Sequence, residues 1–123
     1  MKIRVYYEDT DAGGIVYHTN YIKYCERARS EAFFAKGEKP LEGDSGGFVV
    51  SSINATFSAP SYLGDMLEVK TEMISLKKSS IVLLQQVYRD DTKIFSMEIR
   101  SAFIANGKIA RISEKFISLL ESL

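Results

Sequence analysis

The sequence has one cysteine, so no internal disulfide can form, and a reducing compartment, the cytoplasm, fits that usage. It has one histidine. One histidine and one cysteine cannot make a zinc site, and no clustered set of carboxylates points to another metal. Net charge is also missing: sixteen Lys and Arg offset sixteen Asp and Glu, so no global field draws in nucleic acid or a membrane surface. An anionic ligand must then be held by a local cluster. Charged residues interrupt every apolar run, which argues against a membrane span, and Met1-Lys2-Ile3-Arg4 lacks the apolar stretch of a signal peptide. Without secretion, the glycosylation sequon at Asn54-Ala55-Thr56 carries no meaning. There is no internal repeat, linker or low-complexity tract. The expectation is a single domain over residues 1 to 123, cytoplasmic and without a nucleic-acid partner.

What the chain does have is one distinctive stretch, Tyr6-Tyr7-Glu8-Asp9-Thr10-Asp11-Ala12-Gly13-Gly14-Ile15-Val16-Tyr17-His18-Thr19-Asn20-Tyr21. Residues 2 to 7 alternate as a short strand, which the acidic and glycine residues end. From Tyr21 the period changes. Tyr21, Tyr24, Cys25, Ala28, Ala32 and Ala35 fall on one helical stripe, predicting a helix over about residues 20 to 35, roughly 24 Å long. Thr19 or Asn20 can cap its start and Gly37 can close its end. The rest is strand pattern. Val49, Ile53, Ala55 and Phe57 alternate with polar residues, as do Leu67, Val69, Thr71 and Met73, giving each strand one wet face. Ile81-Val82-Leu83-Leu84 is apolar on both faces and reads as a central strand. Residues 94 to 105 bury Phe95, Met97, Ile99 and Phe103. Asn106-Gly107 signals a tight hairpin, and the tail from Ser113 is a short amphipathic helix. Residues 37 to 47, rich in Gly, Glu and Asp, form the expected mobile loop. The expected class is α+β: a five-stranded antiparallel sheet, four of its strands in meander-like succession, wrapped around one long central helix, with a short C-terminal helix. The uncovered sheet face and edges predict self-association.

The residues from Tyr7 to His18, followed by Asn20-Tyr21 and by Tyr24 with Glu26-Arg27-Ala28-Arg29, closely resemble the hydroxybenzoyl-CoA thioesterase family of hotdog-fold enzymes, nearest its Tol-Pal-associated acyl-CoA thioesterase group. The resemblance implies a hotdog fold and a dimer with a continuous sheet, paired again into a tetramer as a dimer of dimers. It implies active sites at the dimer interface and hydrolysis of an acyl-CoA thioester, or of an acyl carrier protein thioester. No cofactor is called for, because CoA is part of the substrate. The family's catalytic acid falls on Asp11, and its carbonyl-polarising backbone N–H on His18. Gly13, Gly14, Val16 and Tyr17 fall among substrate-binding positions, and the turn that meets the CoA nucleotide falls on Lys77, Lys78 and Ser79.

Elementary chemistry supports part of that reading. A thioester is an activated acyl group, so one carboxylate acting as nucleophile or as base for water suffices if the developing oxyanion is held. Amides at a helix start hold it, and glycines let backbone approach substrate. The bland reading is that Asp9 and Asp11 only shape an Asx turn, a role that suits Asp9. Lys77 and Lys78 either hold CoA phosphates or form a solvated turn. Glu26 reads as structural, Arg27 and Glu31 as an i, i+4 ion pair, and Cys25 as a buried hydrophobe. Ser45, Ser61 and Ser79 lack a nucleophile elbow. Two rivals remain: a hydroxyacyl-thioester dehydratase pairing His18 with Glu26, and a non-catalytic acyl-CoA or acyl-carrier-protein binder.

Overall fold

The structure, a computed structural model, describes residues 1–41 and 46–123. The expected mobile loop therefore lies partly outside the described residues, and Ser45 lies wholly outside them. Among the described residues, β1 (Lys2–Arg4), β2 (Gly47–Phe57), β3 (Met66–Leu76), β4 (Ser80–Arg89), β5 (Thr92–Ala105) and β6 (Lys108–Ile109) form one antiparallel sheet. Its order is β1-β3-β4-β5-β2, with β6 paired to β5 alone. The five expected strands are present. The two-residue β6 is an addition, folded back by Asn106 and Gly107, whose φ angles of 53° and 75° suit a type I′ hairpin. The meander holds for β3, β4 and β5 but not for β2, which pairs with β5 from Gly47↔Ile104 to Phe57↔Phe95. The reason is the 58–65 connection, which crosses one end of the sheet. It bonds in passing to Ile94 through Ser58 N, to Val16 through Ser61 O and to Val5 through Asp65 O.

Helix α1 (Thr19–Phe34) packs over β3 and β4, burying Tyr21, Tyr24, Cys25 and Ala28 as the stripe predicts. The stripe then turns. Ala35 is exposed and Phe33 is buried instead, because Phe116 of α2 (Glu114–Glu121) meets the Phe33 ring at 5.5 Å. Gly37, at φ 73°, closes the helix while Glu38 N donates to Phe33 O at 3.0 Å. At the start, neither Thr19 nor Asn20 caps. His18 is the N-cap residue and makes no side-chain cap bond, while Asn20 Nδ2 is drawn to Asp9 O at 2.8 Å. β1 is shorter than residues 2 to 7, since the Asp9 carboxylate accepts from Tyr6 N at 2.8 Å and folds Tyr7–Asp9 into a 3₁₀ turn. β4 is the central strand, with Ile81, Val82, Leu83 and Val87 buried. β2 departs most from expectation. It has no continuous dry face: Val50 is 45 % exposed, Ile53 39 % and Phe57 49 %, because this long strand is an edge whose ring contacts with the helices lie at its ends, Phe48 on Phe116 and Phe57 on His18 and Tyr21.

Candidate active site

The distinctive stretch folds as a small loop closed on itself. Thr10 bridges to Val16, Asp11 N donates to Ile15 O at 2.8 Å, and Tyr17 N donates to Asp9 O at 2.9 Å. Asp9 is spent on this framework through its carboxylate on Tyr6 N and its carbonyl on Tyr17 and Asn20. Asp11 is only half committed. Its Oδ1 accepts from Gly13 N at 2.8 Å and distantly from Ile15 N at 3.4 Å, whereas Oδ2 has no partner among the described residues. The Asx-turn reading of Asp11 is therefore true of one oxygen and leaves the other available. The two glycines are required locally. Gly14 sits at φ 83°, and a Cβ on Gly13 would stand 3.2 Å from Asp11 Oδ1.

The loop rests on the 58–65 connection. Val16 N donates to Ser61 O at 2.9 Å, Ile15 bridges to Tyr62, and the buried Ser61 hydroxyl meets Tyr21 Oη at 2.6 Å. Tyr21 stacks on Phe95 at 5.4 Å, and burial raises its phenol pKa. Arg89 braces the connection from β4, donating to Pro60 O at 2.9 Å and to Asp65 Oδ2 at 3.1 Å. Behind the loop, the Tyr24 hydroxyl is buried near the Asp9 carboxylate, and burial first, then that carboxylate, push its pKa up.

At the start of α1, the N–H groups of His18 and Thr19 have no hydrogen-bond partner among the described residues, and the first turn holds no acid. The helix dipole adds its positive end there. Thr19 is the neighbouring amide beside His18 at this helix start, where every helix leaves its first amides unpaired. The His18 side chain is exposed, edge-on to Phe57 at 5.9 Å. Val16 forms the floor, nearly buried, and Tyr17 is half exposed. Asp11 lines an open depression of about 470 Å³ with Tyr7, Thr10, Ala12, Gly14 and Leu63. His18 lines another, of about 420 Å³, with Ile15, Tyr21 and Phe57.

Lys77 and Lys78 are exposed in the β3–β4 turn, closed by Lys77 N on Ser80 O at 2.9 Å. Ser79, partly buried, accepts from Phe103 N at 2.8 Å. β3 starts beside the Asp11 loop and runs eleven residues away from it, so this turn stands roughly 35 Å of strand from Asp11 in the same chain. Several other candidates fall away. Glu26 lies eight residues beyond His18 on the helix, roughly 12 Å along its axis, and accepts from Ser30 Oγ at 2.8 Å. That rules out their pairing within one chain. The Arg27–Glu31 ion pair is not formed; the pairs present among the described residues are Arg89–Asp65 and Lys115–Glu38. Burial pushes the Cys25 thiol up to about 12, which keeps it protonated and unreactive at neutral pH. Among the described residues no three His, Cys, Asp or Glu side chains cluster to hold a metal, and no helix is long and apolar enough to cross a membrane.

Residues 13–96 match the family model of the thioesterase superfamily. The chain is 46% identical over 122 residues to the acyl-CoA thioesterase YbgC of Helicobacter pylori, covering 92% of this chain and 91% of that protein. It is 38% identical over 96 residues to the acyl-CoA thioester hydrolase YbgC of Escherichia coli, covering 76% and 72%. A crystal structure of a hypothetical protein from Aquifex aeolicus superposes with a TM-score of 0.91 at 26% identity, over 98% of this chain and 97% of the other. Sequence and architecture give one assignment: the chain belongs to the thioesterase superfamily and has its hotdog fold.

Proposed function

We propose that the protein hydrolyses acyl-CoA thioesters to the free acid and CoA. The observation that carries this reading is the uncommitted pair of amides at His18 and Thr19, with no acid in the first helical turn to occupy them. Such a pair suits the oxyanion of a tetrahedral intermediate. Asp11 Oδ2, open to the adjoining depression, takes the proton of the attacking water as oxygen adds to the carbonyl carbon. Collapse of the intermediate expels the CoA thiolate, which recovers that proton. In the nucleophilic route the same carboxylate attacks the carbon, the CoA thiolate leaves, and water hydrolyses the resulting anhydride to the free acid and the restored carboxylate. No cofactor enters, and a pantetheine thioester on an acyl carrier protein offers the same reacting atoms. Curated relatives named as acyl-CoA thioesterases support this reaction class.

The active site is built from two copies. Pairing two β2 edges antiparallel about a two-fold sets the Phe57 end of one strand beside the Gly47 end of the other. Because Gly47, Ile104, Ser80 and the Lys77 turn share one end of the sheet, the partner's Lys77–Lys78 turn then comes to the end that holds Asp11. There the lysines meet the CoA phosphates, joined by Gly13, Gly14 and Tyr17 along the loop. Dimers pair again into tetramers. The single cysteine favours the cytoplasm, and a role beside the Tol-Pal envelope system follows from the family resemblance.

The test is free-thiol release from acyl-CoAs of rising chain length and one aromatic acyl-CoA, with wild type and Asp11→Asn side by side. Wild type should turn over at least one substrate, and Asp11→Asn should lose about 10²- to 10⁴-fold in kcat while staying folded. A fully active Asp11→Asn would remove the carboxylate from the chemistry. Binding without thiol release from any substrate would replace the hydrolase with a binder.

A further inference from the structure

The aim of the two free amides at the start of α1 is set from outside the helix. His18 makes no side-chain cap bond, and Tyr21 N reaches back to His18 O only at 3.4 Å. Two anchors hold this turn. The Asp9 carbonyl takes Tyr17 N and Asn20 Nδ2 on one side. Ser61 takes the other side, and it does so twice: its carbonyl accepts from Val16 N at 2.9 Å, and its hydroxyl meets Tyr21 Oη at 2.6 Å. Residues 16 to 21 thus close through Ser61 into a ring, with the His18 and Thr19 N–H groups on its arc. Ser61 is fully buried, and the neighbouring Pro60 is tied to β4 by Arg89, so the ring hangs from a fixed point.

Packing alone does not require those two hydroxyls. The Tyr21 ring is stacked on Phe95 at 5.4 Å, with 14° between the planes, and lies tilted to Phe57 at 6.2 Å; a phenyl ring in its place would keep both contacts. An apolar pair at positions 21 and 61 would bury the same surface without desolvating two hydroxyls. What the pair adds is direction, because a 2.6 Å O–H···O bond fixes a distance and an angle, whereas a stacked ring is free to slide. We propose that Ser61 is a positioning residue for thioester hydrolysis, a role that rests on the hydrolase reading of the site. Through Tyr21 on the helix and Val16 on the loop it fixes the rotation of the first turn, and so points the His18 and Thr19 amides at the oxyanion. Fully buried, it touches no substrate itself. Such donors lower the barrier only when aimed where charge develops, so misplacing them by about 1 Å costs turnover more than binding.

Ser61→Ala, Tyr21→Phe and the double variant separate positioning from packing. Each single change strands a buried hydroxyl and should lower the melting point by about 4–8 °C, whereas the double variant strands neither and should return to within about 2 °C of wild type. Its kcat for acyl-CoA should nevertheless stay down by about tenfold or more, with KM unchanged. N–H residual dipolar couplings, which report bond direction without any turnover, should change for His18 and Thr19 in the double variant and hold still for Phe34 and Gly37 at the far end of the helix. A double variant whose kcat recovers with its melting point would reduce the pair to packing and overturn the proposal, as would unchanged couplings at His18 and Thr19. Wild type that releases no thiol from any acyl-CoA would instead overturn the hydrolase reading, while the couplings would still decide whether Ser61 sets the direction of the helix start.

Discussion

The two edges of the sheet are built on opposite plans. β1 is three residues long, sets exposed Lys2 and Arg4 on either side of the buried Ile3, and is tied down at both ends. Met1 and Val69 exchange both backbone bonds, at 2.8 and 3.0 Å, and Val5 is held by Asp65 O. Short, charged and fastened, it is an edge closed against further strands. β2 has eleven residues, and on its helix-side face Val50, Ile53 and Phe57 are exposed. An apolar edge of that length is a hazard unless something pairs with it. The contrast teaches that this sheet is finished on one side and unfinished on the other, and the unfinished side is the one on which the proposed pairing of two copies rests.

The sharpest way to break this contrast is to ask whether two copies share one site. Asp11→Asn homodimers should lose about 10²- to 10⁴-fold in kcat, and Lys77→Glu with Lys78→Glu should raise KM about tenfold with a smaller change in kcat. Coexpressed, the two variants form mixed dimers in which one site draws native Asp11 from one chain and native lysines from the other. Random pairing predicts recovery of about a quarter of wild-type activity at native KM. If each site were built within one chain, the mixture would show only the sum of the two crippled parents.

The next largest effect concerns the edge itself. Ile53→Asp places a carboxylate in the middle of the apolar stripe on β2, opposite Ile99, where the paired edge has no cation to receive it. An unpaired charge in an interface costs ~2–5 kcal/mol, or roughly one and a half to three and a half orders of magnitude in dimer affinity. Sedimentation at micromolar concentration should move from dimer or larger toward monomer, and turnover should fall with it. A variant that remains a dimer would place the interface elsewhere.

The same contrast separates what could be read from the sequence from what could not. Elements set by local rules were legible: the stripe of Tyr21, Tyr24, Cys25 and Ala28, the Asn106-Gly107 turn, and the apolar run of the central strand. The motif likewise marked the loop around Asp11 and the helix start at His18. What was missed depends on partners far away in sequence. Phe33 displaced Ala35 from the core because of Phe116, Ser61 became the prop of the loop through Tyr21, and β2 lost its dry face because its neighbour on one side is another copy or nothing. Lys77 and Lys78 sit at the opposite end of the sheet from Asp11 in their own chain, a separation that no periodicity in one sequence reports.

The smallest effect is expected at the closed edge, and it serves as the control. Lys2 pairs across the β1–β3 ladder with Glu68, so Lys2→Glu sets two carboxylates opposite each other on an exposed edge. Like charges in that geometry cost ~0.2–1 kcal/mol, screened by salt. The outcome should be a melting point lowered by a few degrees at low salt and partly restored at high salt, with sedimentation and thiol release unchanged. The same sign of charge, inserted at Ile53, is predicted to separate the chains. If Lys2→Glu altered the oligomer as strongly, β1 would be an interface strand, and its short length and charged flanks would have to be explained some other way.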